Sequence, residues 1–261
     1  EGEGTIGHVW PRRTLLSRAD NLARRKEQLI AANVDLVIIT ASVVQPVLKP
    51  AILDRYIIAA RKGGMEPLIV VNKIDLLDEE DDSVHLEQER TLYAEAVRAY
   101  GNAGIPLIGV STLSGTGVEE LKQAMRDKVS VFSGQSGVGK SSLINAVVGS
   151  QLRVGHVVEK TKKGTHTTTT TRLLPLDFGG WCVDTPGIRS FGVWNLELEE
   201  VEGYFEEIHR LGLGCKFADC THLHEASCAV LIALEAEELS FMRYASYQAL
   251  RASVAEEHRR R

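Results

Sequence analysis

Apolar residues along the chain fall into two kinds of run. Short unbroken runs at residues 34–40 (VDLVIIT), 68–71 (LIVV), 106–110 (PLIGV) and 129–132 (VSVF) have the length and β-branched character of buried strands. Between and after them, apolar positions return at helical spacing at 52–61, 83–100 and 118–128, and a further helix opens at Ser141. Strands alternating with helices predict an α/β fold. Residues 173–177 and 181–183 read as a hairpin, and 198–211, 229–238 and 240–258 as helices. Two stretches break the pattern. Residues 18–33 carry only Leu22, Leu29 and Ile30 among basic side chains, which predicts a short helix or linker. Residues 151–172 show no apolar period, and their consecutive threonines bury too little area to offset ordering, which predicts a mobile segment.

The strand at 129–132 runs into Gly134, Gln135, Ser136, Gly137, Val138, Gly139, Lys140 and Ser141, which fit the phosphate-loop pattern G-x-x-x-x-G-K-[ST]. Glycines at these places let backbone N–H groups turn inward around phosphate oxygens. Lys140 would reach the β and γ phosphates. Ser141 would offer a hydroxyl to Mg²⁺, with Ser142 beside it at the positive end of the helix that begins there.

Strand 68–71 delivers Asn72, Lys73 and Asp75 at its C-terminal end, where open α/β sheets bind ligands. In this N-K-x-D pattern the Asp75 carboxylate can accept from the N1–H and N2 amine of guanine, a donor pair that adenine lacks. Lys73 would lie against the base, and Asn72 would tie this loop to the phosphate loop. One strand and helix later, Ser111 and Thr112 stand where a backbone N–H could meet guanine O6. Asp184, Thr185, Pro186 and Gly187 form D-x-x-G, in which the carboxylate holds Mg²⁺ through water and the glycine N–H contacts the γ-phosphate. Thr167 or Thr168 could add a second hydroxyl to Mg²⁺. The base-reading motifs precede the phosphate loop, the reverse of the usual GTPase order, so the chain reads as a circular permutation, and the polypeptide leaving D-x-x-G is coupled to the nucleotide switch.

Downstream of D-x-x-G lie three of the four cysteines. Cys215, Cys220, His222 and Cys228 give C-x4-C-x-H-x5-C, a donor set for tetrahedral Zn²⁺ with no open position, hence structural; His224 is an alternative ligand. The remaining Cys182 sits in an apolar strand. The formal net charge of -5 argues against a general nucleic-acid coat. Basic clusters at 12–26 and 160–172 instead suit a particular RNA partner. No run of 18 apolar residues or leader pattern is read, so the expectation is a cytoplasmic protein with no membrane partner. The opening TIGHVWPRRTLL resembles the last strand of a unit whose earlier strands are missing.

Taken in order, NKIDLL, GQSGVGKSSLIN, GTHTTT, DTPGIRSFG and CKFADCTHLHEASCAV make the chain resemble the circularly permuted, small-subunit-dependent GTPase A family, known as RsgA or YjeQ. The resemblance implies a circularly permuted P-loop GTPase domain at 34–195 and a helical zinc-binding domain at 196–261. Before them would lie a remnant of an N-terminal OB-fold at 1–16 and a linker at 17–33. It implies a GTP hydrolase that matures the small (30S) ribosomal subunit, binding GTP or GDP, Mg²⁺, one structural Zn²⁺ and ribosomal RNA as a monomer. Residue 188, after D-x-x-G, is Ile where many GTPases place a water-orienting glutamine. The resemblance assigns that catalytic role to His166, alongside Lys140. A P-loop ATPase or small-molecule kinase, a GTP-gated scaffold and another permuted assembly GTPase are the competing readings.

Overall fold

The computed structural model describes residues 7–19, 27–78, 84–149, 172–184 and 196–259. At its centre is β3 (Leu36–Ser42), all seven residues of which are buried. A strand covered on both faces needs apolar residues at consecutive positions, which is what VDLVIIT supplies. Around it a six-stranded sheet forms in the order β5-β4-β3-β6-β8-β7, with β4 at Glu66–Asn72, β5 at Leu107–Val110, β6 at Val129–Gly134, β7 at Arg172–Pro175 and β8 at Trp181–Asp184. All neighbouring pairs are parallel except β7 and β8, the expected hairpin.

Successive β3 side chains alternate between two cores. Val37, Ile39 and Ala41 meet Leu53, Tyr56 and Ile57 of α1 (Pro50–Lys62) and Ala96, Ala99 and Tyr100 of α2 (Val84–Asn102). Leu36 and Ile38 face the other way, toward Leu121 and Met125 of α3 (Val118–Met125) and Leu143 and Val147 of α4 (Lys140–Val148). Cys182 is fully buried in this second core. Pro50 opens α1, where a missing N–H costs nothing, and Arg61 and Lys62 close it at the negative end of its dipole.

A third core gathers the C-terminal elements: α5 (Glu206–Gly212), α6 (Ala229–Glu235) and α7 (Phe241–Arg259). Ile58 of α1 belongs to it, so α1 packs the sheet with one face and the C-terminal helices with another.

Two expectations are corrected. The described part of residues 18–33 is strand and not helix: β1 (Leu15–Ala19) pairs antiparallel with β2 (Glu27–Ala32), and 20–26 lie outside the described residues. The ribbon is fastened to the sheet body by Leu15 N–H to Gly63 O, Asn33 N–H to Thr14 O and the Thr14 hydroxyl to Val34 O. These long-range bonds override a weak local helical pattern. Among the described residues the ribbon has no third strand, so an OB-fold remnant rests on the sequence resemblance alone. The single helix expected at 198–211 is instead two 3₁₀ turns, Leu198–Glu200 and Glu202–Tyr204, followed by α5. A capping box between Glu197 and Glu200 opens the first turn, and Phe205 (φ -106°, ψ 75°), outside the helical region, breaks the run before α5.

Candidate nucleotide and metal sites

After β3 the chain moves to β4 on one side; after β6 it moves to β8 and β7 on the other. The C-terminal ends of β3 and β6 therefore flank a topological switch point, the crevice where ligands bind in sheets of this kind. Gly134 closes β6 opposite Thr40, with φ 140°, and a Cβ there would run into the Thr40 carbonyl. Gly139 (φ 93°) turns the loop into α4 and leaves room for no side chain, because Asn72 Nδ2 occupies the space. Lys140 sends its ammonium back over the loop to the carbonyls of Gly134, at 2.7 Å, and Gln135. Ser141 and Ser142 are exposed on the first turn of α4, as Ser136 and Gly137 are on the loop, while Val138 is buried beneath it.

Asn72, at the end of β4, is 1% exposed and donates from Nδ2 to Val138 O at 3.0 Å. This is the tie between the two motifs that their residue types had suggested. Lys73 takes a left-handed conformation (φ 67°) and reaches Gln45 O, and Asp75 sits half-buried in the 3₁₀ turn Ile74–Leu77. Ser111 follows β5 fully buried, and its hydroxyl accepts from the N–H groups of Leu113 (3.2 Å) and Ser114 (3.1 Å). Its side chain thus shapes the loop that presents Thr112. The segment 43–49, which drew no functional reading in the sequence, joins the site: Val43 N–H bonds Asn72 O, Ser42 Oγ donates to Pro46 O, and Gln45 O receives Lys73. Asp184 ends β8, one strand from the phosphate loop.

The second site lies in the C-terminal part. The ligand atoms of Cys215, Cys220, His222 and Cys228 all fall within 4.8 Å of one another, so the four residues could hold a metal ion. His222 Nδ1 is 3.3 Å from Cys228 Sγ and 3.6 Å from Cys215 Sγ. Burial pushes the Cys220 thiol up to about 12, with the neighbouring thiols adding to the rise. A dication among these sulfurs reverses that balance, and three thiolates with one imidazole suit zinc. The loop is braced from below: Tyr244 Oη donates to His222 O at 2.7 Å, and Tyr247 Oη to Thr221 O at 3.0 Å. Its crest is tied by Glu225, which accepts from the backbone N–H groups of Thr221, Leu223 and His224.

The model of the family described as RsgA GTPase matches residues 9–194. The chain belongs to the RsgA GTPase family. It is 43% identical over 259 residues to the small ribosomal subunit biogenesis GTPase RsgA of Ectopseudomonas mendocina, covering 98% of this chain and 72% of that protein. The protein of the same name in Chlorobaculum parvum is 40% identical over 259 residues, with 97% and 80% covered. Among solved structures, YjeQ from Thermotoga maritima superposes with a TM-score of 0.74 at 35% identity, over 97% of this chain and 80% of that one. YloQ, described as a circularly permuted GTPase, gives 0.67 at 26%, over 96% and 83%. The permuted GTPase fold expected from motif order is therefore the fold of this RsgA family member.

Of the residues singled out in the sequence, His166, Thr167, Thr168, Thr185, Pro186, Gly187 and Ile188 lie outside the described residues, as do residues 151–171 of the stretch expected to be mobile and the side chain of Asp184. The sequence reading also missed the joint between the GTPase body and the C-terminal helices. Arg243 of α7, 2% exposed, bonds Asp54 of α1 and, at 2.6 Å, Glu207 of α5. Its guanidinium lies 4.6 Å from the Phe205 ring centre and 5.3 Å from that of Tyr100. A helical stripe of Asp54, Ile58 and Arg61, spaced at four and three residues, is the sequence trace of α1's second packed face.

Proposed function

We propose that this chain hydrolyses GTP in the crevice at the ends of β4, β5 and β6, and that it acts in maturation of the small ribosomal subunit, as the names of its relatives describe for those proteins. The observation that carries the reading is the Asn72 to Val138 hydrogen bond, which fastens the base-reading and phosphate-holding motifs at one switch point. Asp75 selects guanine, Lys73 leaves Gln45 to lie along the base, and Thr112 presents its backbone to guanine O6. The N–H groups of 135–140 and the start of α4 surround the phosphates. Lys140, now on the loop's own carbonyls, turns to the β and γ phosphates, stabilising charge that develops on transfer.

Ser141 and Asp184, with Thr168, would hold Mg²⁺, which supplies neutralisation of the β and γ oxygens; an exposed hydroxyl on the first helical turn and a carboxylate at the adjacent strand end fit a hard cation. Cys215, Cys220, His222 and Cys228 would hold zinc as a structural ion. Ile188 offers the attacking water no hydrogen bond, so unassisted turnover is slow, and His166 supplies the missing assistance when the chain is bound to the subunit and its RNA. Assistance of this kind is worth roughly 10³ to 10⁵ in rate in other GTPases. The protein works as a monomer in the cytoplasm; among the described residues no helix is long and apolar enough to cross a membrane.

The test is GTP turnover with and without purified small subunits. Stimulated turnover that disappears in Lys140→Ala and falls steeply in His166→Ala is expected. A rate that subunits leave at the Lys140→Ala level refutes hydrolysis. The same residue, Ile188, favours a second reading in which nucleotide only gates RNA or protein binding, and single-turnover hydrolysis on the subunit separates the two.

A further inference from the structure

The metal cluster has a neighbour that is not one of its four ligands. His222 is 2% exposed, and its Nδ1 faces the sulfurs of Cys215 and Cys228. The other ring nitrogen, Nε2, is 3.3 Å from Oε2 of Glu202, within ion-pair reach though without the alignment of a full hydrogen bond. The second oxygen of that carboxylate, Oε1, is 2.9 Å from Nδ1 of His209, so Glu202 is held between two imidazoles. Gly212, near the end of α5, makes room for the pair. A Cβ there would come within 3.0 Å of His222 Nε2 and 3.2 Å of Glu202 Oε1.

We propose that Glu202 is the positioning carboxylate of the metal centre. It keeps the His222 proton on Nε2, leaves the Nδ1 lone pair for the metal ion and fixes the plane of the ring. Carboxylates in this relation to a ligating histidine set its tautomer and raise its basicity. The inference rests on reading the Cys3His cluster as a zinc site. It also gives the centre a second task. Glu202 stands in the 3₁₀ turn Glu202–Tyr204, flanked by Val201 and Phe205, both fully buried in the C-terminal core. Only residues 185–195 separate the end of β8 from the start of this segment at Leu196. Metal held by His222 therefore anchors, through Glu202, the polypeptide that leaves the D-x-x-G strand.

The test uses the full chain and two probes, Zn²⁺ in competition with a chromogenic chelator and Co²⁺ followed by its visible spectrum. Glu202→Ala is expected to weaken Zn²⁺ binding 10- to 100-fold and to shift the Co²⁺ bands. Glu202→Gln, which keeps an amide oxygen opposite Nε2 but no charge, is expected to recover part of both. Urea unfolding in excess chelator is expected to give the same midpoint for wild type and Glu202→Ala. Zn²⁺ affinity within threefold of wild type with unchanged Co²⁺ bands overturns the role of Glu202, and so does an equal loss of stability in excess chelator, which would make the residue merely structural. A wild-type chain that takes up neither ion overturns the zinc reading itself, a result distinct from both.

Discussion

Replacing Arg243 with Met tests whether the C-terminal helices are bound to the GTPase body through one buried charge network. Asp54 and Arg243 are each 2% exposed, on helices otherwise far apart in the chain. Burial raises the Asp54 carboxyl from its ordinary 3.8 to about 6, and Arg243 offsets only part of that rise. Burial also works against the charge on Arg243, but Asp54 and Glu207 together push the guanidinium above its usual range, and Glu207 keeps it charged even when Asp54 takes up a proton. Met retains the apolar stem and removes the cation, leaving Asp54 only its hydrogen bonds with Ser246 and Tyr100 to offset its burial. Breaking a buried pair from one side costs about 3–5 kcal/mol. In a chain of this size that lowers the melting temperature by roughly 6–20 °C.

The sign of the pH dependence comes from linkage. Because the folded-state value of Asp54 is raised, its contribution is fully present below about 3.8 and is lost as pH rises through about 6. Without Arg243 the folded-state value climbs further and the loss extends to higher pH, so the deficit of Arg243→Met is larger at pH 8 than at pH 5.5. Urea unfolding of wild type, Arg243→Met, Asp54→Asn and the double variant at both pH values measures this, and the double variant is expected to recover most of the loss. A deficit below about 1 kcal/mol, or one equal at the two pH values, refutes the reasoning.

Gly139→Ala should abolish nucleotide binding and cost more stability than Gly137→Ala: both glycines have positive φ, but only at 139 does a Cβ displace Asn72 Nδ2, whereas at 137 the nearest atom is Pro46 Cδ at 3.6 Å. Equal unfolding midpoints would show that the Asn72 tie contributes nothing. Asp75→Asn should move preference from GTP toward XTP, since an amide can donate to the xanthine C2 carbonyl; competition binding that still favours GTP removes Asp75 from the base site. Burial raises the Glu225 carboxyl, but hydrogen bonds from the Thr221 hydroxyl and from the N–H groups of Thr221 and His224 outweigh it and hold the group far below its usual range. Its contribution is therefore present above about pH 4.5 and lost as pH falls toward the folded-state value, so the stability gap between wild type and Glu225→Gln should shrink on acidification. A gap constant from neutral to strongly acidic pH would contradict this.

Sequence alone discloses whatever a short stretch of chain determines by itself. VDLVIIT has to be a strand covered on both faces, because no alternation marks a wet side. The phosphate loop is legible for the same reason: a backbone that must approach an anion needs glycine at fixed places, here 134, 137 and 139, all at positive φ. The β1–β2 ribbon was missed because the bonds that hold it run to Gly63 and Val34, and nothing within 18–33 announces them. The Arg243 to Asp54 pair was missed for the same cause at greater length, the two residues being 189 positions apart. At 198–211 the apolar spacing is helical, but Phe205 leaves the helical region (φ -106°, ψ 75°) and divides the run, and Glu202, in the turn before that break, lies beside His222.

The permuted order places the nucleotide crevice on a seam. Strands β3, β4 and β5, with the base-reading motifs at their ends, come first in the chain; β6, β7 and β8, with the phosphate loop and D-x-x-G, come second. The two halves meet along β3 and β6, in a register running from Leu36 opposite Ser130 to Thr40 opposite Gly134, and the Asn72 to Val138 bond crosses the same line. A nucleotide bound as proposed, with Asp75 on one side and Lys140 on the other, would span the junction and bind only the assembled sheet. By mass action such a ligand stabilises the assembled state by about 2.7 kcal/mol at a hundred times its dissociation constant. Hydrolysis changes the ligand only at its phosphate end, in the half from which the chain runs on through Leu196, Val201 and Phe205 to the metal loop. In the proposed reaction the base-reading half would keep its grip, while the half proposed to sense the γ-phosphate leads along the chain into the C-terminal helices that α1 of the first half holds through Asp54 and Arg61.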